Sequence, residues 1–128
     1  TRNHQDVLRA YRRMVFNVLA HNRDDHVKNF AFVLDDATGD WTLSPAYDLT
    51  RAPGPGGEHT MTLAGEGKNP TRSHMDQLAR QADISQKDAD QIFDQVQSAV
   101  DHWSDHAAEA GVSPTKTNSI TKSMPELR

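Results

Sequence analysis

The chain contains no cysteine, so it can form neither a disulfide nor a thiolate zinc site. Long hydrophobic runs are also missing. No stretch approaches the roughly 18 apolar residues that a membrane span requires, and no secretory leader opens the sequence. These absences fit a reducing, cytoplasmic compartment. Basic charge is short as well: 14 Lys and Arg stand against 18 Asp and Glu, for a formal net charge of −4. That balance argues against a general nucleic-acid binder, which needs a basic surface to neutralise phosphates. Hydrophobic residues are only 35% of the 128, enough for one core but polar for a globular domain. Such a composition suits helices with wide solvated faces, or a piece of something larger. Because helical patterning begins almost at Thr1, the true N-terminus is expected upstream.

What is present is an ordered series of patterns. Val7, Leu8, Tyr11, Met14, Val15, Val18 and Leu19 recur at helical spacing and predict an amphipathic helix over about residues 4–20. The polar stretch "HNRDDHVKN" follows, and then the apolar run "FAFVL", which is too short for a helix and predicts a buried strand. "DDATGD" has the Asp and Gly chemistry of a turn, and "WTLSP" completes a hairpin over about residues 30–34 and 41–44, which Pro45 ends. "RAPGPGGE" (51–58) predicts irregular chain, either an activation-type segment or ordinary mobile loop, with a short strand at Met61–Leu63.

Thr71 predicts an N-cap for a helix to about Ala82 that buries Met75, Leu78, Ala79 and Ala82. Ser85 and Asp88 give the S-x-x-D start of a longer helix whose apolar face runs continuously from Ala89 through Trp103 to Ala110. Gly111 and Pro114 stop it, and Ile120, Met124 and Leu127 suggest a final helix. The expected fold class is mainly α with a short β-hairpin. Its parts are residues 1–50 (helix, polar loop, hairpin), 51–70 (irregular loop) and 71–128 (helical subdomain).

The chemistry concentrates in residues 22–29, N-R-D-D-H-V-K-N. Arg23-Asp24 precedes Asn29 at the Asp-to-Asn interval of the protein-kinase catalytic loop, H-R-D-L-x-x-x-N. The interval has a purpose: a carboxylate accepts a substrate hydroxyl proton while a nearby amide oxygen holds Mg²⁺, so both must leave one tight loop. A second metal-binding Asp, from D-F-G, follows the next hairpin in kinases. Here Tyr47-Asp48-Leu49 stands in that position with the aromatic residue before the Asp.

"NRDDHVKNFAFVL" followed by "WTLSPAYDLT" resembles the HipA-like serine/threonine kinases of bacterial toxin–antitoxin systems, which carry a D-x-H-x-K-N loop, a hairpin and a P-x-Y-D segment in that order. Asp24, His26, Lys28 and Asn29 match the loop; Pro45, Tyr47 and Asp48 match the second segment. "GKNPTRSHMDQLA" and "WSDHAAEAGVS" look like the later helical region of the family. The resemblance implies a protein-kinase-like C-lobe fragment, with Asp24 as catalytic base and Asn29 and Asp48 as the cofactor-binding Mg²⁺ ligands. ATP would be co-substrate, a protein hydroxyl the acceptor, and a HipB-like DNA-binding antitoxin the restraining partner, with no direct nucleic-acid or membrane contact by this part. His26 and Lys28 join the catalytic set. His26 is either a ligand or a support that aims Asp24, and Lys28 either approaches the transferred phosphate or is simply exposed. Asp25 is taken as a bystander.

The chain begins too late to hold a Gly-rich phosphate loop or a strand lysine, so the piece alone is expected to be inactive. "AGEGKN" is not a phosphate-binding loop, because Thr62 and Asn69 stand where the G-x-x-x-x-G-K-[ST] pattern needs Gly and Ser or Thr. Two other readings compete: a non-catalytic helical binding module with a relic loop, and an HNH-type metal nuclease suggested by "DDHVKN". His102 and His106, one helical turn apart, lack a third ligand and read as surface residues; Trp103 reads as core.

Overall fold

The computed structural model describes residue 1 and residues 3–127. Helix α1 (His4–Leu19) begins where Asn3 Oδ1 accepts the backbone N–H of Gln5 at 2.9 Å. Strands β1 (Phe32–Leu34) and β2 (Trp41–Leu43) form an antiparallel hairpin with Phe32 opposite Leu43 and Leu34 opposite Trp41. Asp35 builds its turn by accepting from Ala37 N at 2.8 Å, and Gly39 supplies the left-handed residue at φ 74°. Helices α2 (Arg72–Gln81), α3 (Gln86–Asp101), α4 (Trp103–Glu109) and α5 (Pro114–Thr121) complete a mainly helical fold.

The core lies between α1, α2 and α3, because each presents one apolar stripe. Tyr11, Val15, Val18 and Leu19 meet Met75 and Ala79, and Ile92, Phe93 and Val96 close the third side. Thr71 caps α2 as expected, its backbone N–H donating to His74 Nδ1 at 3.0 Å. Ser85 caps α3, accepting from Asp88 N at 3.1 Å and donating to Asp88 Oδ2 at 2.6 Å. Arg72 stacks 4.1 Å from the Phe93 ring centroid while bonding Asp76 and Asp90, which ties α2 to α3. Tyr11 Oη donates to Met75 O, and burial, reinforced by Asp76, pushes its hydroxyl up to about 12.

Four expectations change. The long helix from Ser85 breaks at His102, whose Nδ1 donates to Ser98 O at 2.7 Å and takes up a carbonyl at the end of α3. Ala99 and Ala110 are exposed, although Ala107 is buried. No strand forms at Met61–Leu63; Leu63 and Glu66 pair only with each other across a tight turn. The final helix is the earlier segment α5, and Met124 and Leu127 follow it as coil packed on the core. Finally, the "FAFVL" strand is not buried. Phe32, Val33 and Leu34 are exposed, because among the described residues no layer covers the two-stranded ribbon. Only the end of the hairpin docks: Leu43 is buried, its N–H donating to the buried carboxylate of Asp6 at 3.1 Å, and Arg13 holds Ser44 O.

Candidate active site

Helix α1 ends by passing the chain directly into the polar loop. His21 takes the left-handed conformation at φ 58°, turning the backbone so that Asn22 folds under the helix end. Asn22 is fully buried, and its Nδ2 donates to Asn17 Oδ1 at 3.0 Å and to the carbonyl of Asp48 at 3.4 Å. Arg23 N donates to Ala52 O and Ala52 N to His21 O, both at 3.1 Å. The chain after the hairpin therefore runs parallel to the loop, beside residues 21–23.

Within the loop, Val27–Asn29 form one 3₁₀ turn, with Asn29 N donating to His26 O at 2.9 Å. The Asn29 side chain reaches back across that turn, its Nδ2 donating to Asp24 O at 3.1 Å. One bond thus braces the two residues whose spacing drew attention. It occupies the amide nitrogen of Asn29 and leaves Oδ1 without a hydrogen bond among the described residues. The Asp24 side chain is 55% exposed, with His26 Nε2 3.9 Å from its carboxylate. His26 is half-buried and its Nδ1 is buried without a hydrogen-bond partner among the described residues. Lys28 is exposed, and its carbonyl accepts from Tyr47 Oη at 2.7 Å. Asp48 sits at φ 55° with an exposed carboxylate that makes no hydrogen bond or ion pair among the described residues. Loop and post-hairpin segment are thereby brought together through Asn22, Tyr47 and Ala52.

Asp25 is not an idle neighbour. Its carboxylate is buried and accepts from His59 Nδ1 at 2.8 Å, Thr60 N at 2.9 Å and Met61 N at 3.2 Å. Thr60 also donates twice to Arg23 O, from N and from Oγ1, each at 3.1 Å. The Arg23 guanidinium bonds Gly57 O and Lys68 O. Residues 57–68 are therefore fastened along the back of the loop, while Asp24 faces outward. Sequence reading missed His59 and Thr60, which lie 34 and 35 positions from Asp25; an isolated His beside a Pro/Gly stretch carries no local signal.

His21 faces a cavity of about 350 Å³ that Arg23, His59, Lys68 and the chain near Ser123 also line. Burial first, and Arg23 second, hold its imidazole below the usual histidine range. In "AGEGKN", Glu66 Oε1 accepts from Lys68 N at 2.7 Å and Asn69 N at 2.9 Å. Those amides are the kind a phosphate-binding loop would present, and a carboxylate already fills them. The hairpin passes at Ser44 into irregular chain rather than a helix, so the ββα unit of an HNH site is not formed. His102 and His106 are exposed, and no group of three or more His, Asp or Glu able to hold a metal occurs among the described residues. Asn29 and Asp48 nonetheless offer one amide and one carboxylate oxygen, hard donors of the kind Mg²⁺ takes together with water and phosphate oxygens.

Comparison with protein-family models matches residues 1–103 to the HipA-like C-terminal domain. The match takes in α1, the loop, the hairpin, Asp48, α2 and α3. No curated protein and no solved structure matches the chain.

Proposed function

The chain belongs to the HipA-like C-terminal domain family, and from that membership we propose that residues 1–128 are the C-terminal lobe of a serine/threonine protein kinase. The observation that carries this reading is the bond from Asn29 Nδ2 to Asp24 O. It folds the loop so that an exposed carboxylate, with His26 beside it, and an amide oxygen with no hydrogen bond among the described residues leave the same short loop, and Tyr47 and Asn22 bring the Asp48 segment beside it.

In this reading Asp24 accepts the proton of a protein Ser or Thr hydroxyl as that oxygen attacks the γ-phosphorus of ATP and the bond to the β–γ bridging oxygen breaks. Exposure suits Asp24 to this role, because a protein substrate must reach it. Asn29 and Asp48 would hold Mg²⁺, which when bound neutralises charge on the phosphates. Lys28, exposed beside Asn29, can meet phosphate charge, and His26 supports Asp24 from the far side of the turn. The work of the site is positioning and charge neutralisation, not covalent catalysis. The acceptor is a protein hydroxyl, and the restraining partner a HipB-like DNA-binding antitoxin.

The test is Asp24→Asn in the full-length kinase, read as transfer of labelled γ-phosphate to protein. Loss of a general base predicts a fall of about 10²-fold or more, with helical content unchanged. Transfer at the wild-type rate would overturn the role of Asp24 and favour the binding-module reading, in which the loop is a relic.

A further inference from the structure

The structure assigns His59 as the positioning residue of the Asp24–Asn29 loop, acting through Asp25; the catalytic part of this inference rests on the kinase reading above. His59 and Asp25 are both buried, with side chains 2% and 5% exposed, and they meet at 2.8 Å. A carboxylate can only accept in this contact, so His59 Nδ1 carries the proton and points it at Asp25 Oδ2. The other end of His59 is anchored independently, its backbone N–H donating to Gly67 O at 2.7 Å. The imidazole therefore joins the 57–68 segment to the residue immediately after Asp24 through a directional bond with fixed ends.

Directionality is what the arrangement adds. A buried pair of this kind is weak as a source of stability, since well-packed apolar residues hold a fold equally well. Apolar packing, however, leaves the rotation of a short loop about its own axis loosely set. Here Thr60 and Met61 bond Asp25 Oδ1 while His59 bonds Oδ2. With both oxygens held, the Asp25 carboxylate has one orientation, and the backbone at 24–25 has one register. Asp24, on the opposite side of the chain, inherits its direction from that register. The Asn29 bond to Asp24 O passes the same constraint to the amide oxygen. A shift of about 1 Å in such groups is enough to cost on the order of 10²-fold in rate.

The test uses two variants. His59→Leu keeps side-chain bulk and removes the donor, whereas His59→Asn places an amide N–H where the imidazole Nδ1–H sits. Amide hydrogen exchange on the 128-residue chain is the first measurement. In His59→Leu, the amides of Asn29 and Phe30, which donate to His26 O and Val27 O, should exchange about tenfold faster or more, while Val15 and Val96 in the core stay protected. His59→Asn should restore protection. Unchanged exchange at Asn29 and Phe30, or an equal rise at Val15 and Val96, would overturn the assignment. In the full-length kinase, His59→Leu should lower kcat by about tenfold or more with KM for ATP within about twofold, and His59→Asn should recover it. A change confined to KM would also overturn it. A wild type that transfers no phosphoryl group would sink the kinase reading alone, because the exchange pattern still decides whether His59 holds the loop.

Discussion

Tyr47 Oη donates a 2.7 Å hydrogen bond to the carbonyl of Lys28, joining the segment that carries Asp48 to the turn that carries Asn29. Nothing in the hairpin requires this bond, since the two strands pair without it. Its effect is to tie together, at the open end of the hairpin, the two segments that flank it, one carrying Asn29 and the other Asp48.

Tyr47→Phe should therefore separate stability from function. The ring is retained and half-exposed, so the loss in unfolding free energy should be at most about 1 kcal/mol by denaturant titration. On the kinase reading proposed above, the Mg²⁺ concentration required for half-maximal phosphoryl transfer by the longer chain should rise several-fold. An unchanged Mg²⁺ requirement would show that Asp48 and Asn29 do not share a metal ion.

Adjacent carboxylates should give opposite outcomes. The Asp24 side chain is exposed, with only His26 3.9 Å from its carboxylate, and alanine keeps the carbonyl that Asn29 bonds, so Asp24→Ala should leave the unfolding midpoint nearly unchanged. Asp25→Ala strands the buried Nδ1–H of His59 and removes a partner from the part-buried amides of Thr60 and Met61, of which Thr60 N keeps Arg23 O. At about 1–3 kcal/mol for a stranded buried donor, and little for amides that water can reach, a loss of about 2 kcal/mol is expected. Thermal unfolding of the two variants side by side is the check; equal midpoints would refute the division of labour between them.

Gly54 and Gly56, two positions apart, provide a backbone control. Both have positive φ, 74° and 66°. A Cβ on Gly54 would lie 2.2 Å from Glu58 O and 2.6 Å from Arg23 Cβ, whereas one on Gly56 meets nothing within 4 Å. Gly56→Ala should cost only the left-handed strain, about 1 kcal/mol. Gly54→Ala must in addition push the 54–58 segment off Arg23, so it should destabilise clearly more and expose Thr60 to faster amide exchange. Equal destabilisation of the two would mean that this segment is not seated on the loop.

The contrast between what the sequence announces and what it conceals follows from range. Helix α1 and the caps at Thr71 and Ser85 are written in neighbouring residues, so period and capping chemistry reveal them. The hairpin is legible for the same reason, through Asp35 and Gly39. Asp24 and Asn29 stand out in the sequence because only five positions separate them within one loop. Asp25 looks identical to Asp24 in sequence, and only contacts made by residues 59–61 distinguish them. The break at His102 escaped because the apolar pattern continues across it, while a histidine side chain takes up the carbonyl that an unbroken helix would use.

The dependence of stability on pH should carry two separable signatures, both of the same sign. The His21 imidazole is held low by burial and by Arg23, so over a window below its ordinary value near 6.5 the unfolded chain takes up a proton that the folded chain refuses. Stability from this group is complete above about pH 7 and falls as the pH drops through that window. Glu66 is held low by the Asn69 and Lys68 amides, and its contribution is lost only at lower pH, below about 4.5, as the carboxylate protonates and releases them. His21→Asn removes the first signature without disturbing the backbone, because asparagine accepts the left-handed φ of 58°. Urea unfolding of both proteins from about pH 7.5 to pH 4 should show the wild type losing stability earlier, with the curves becoming parallel at the acid end where Glu66 acts in both. Parallel curves throughout would mean that His21 titrates alike in the folded and unfolded chain, and that the cavity beside Arg23 admits enough water to solvate an imidazolium.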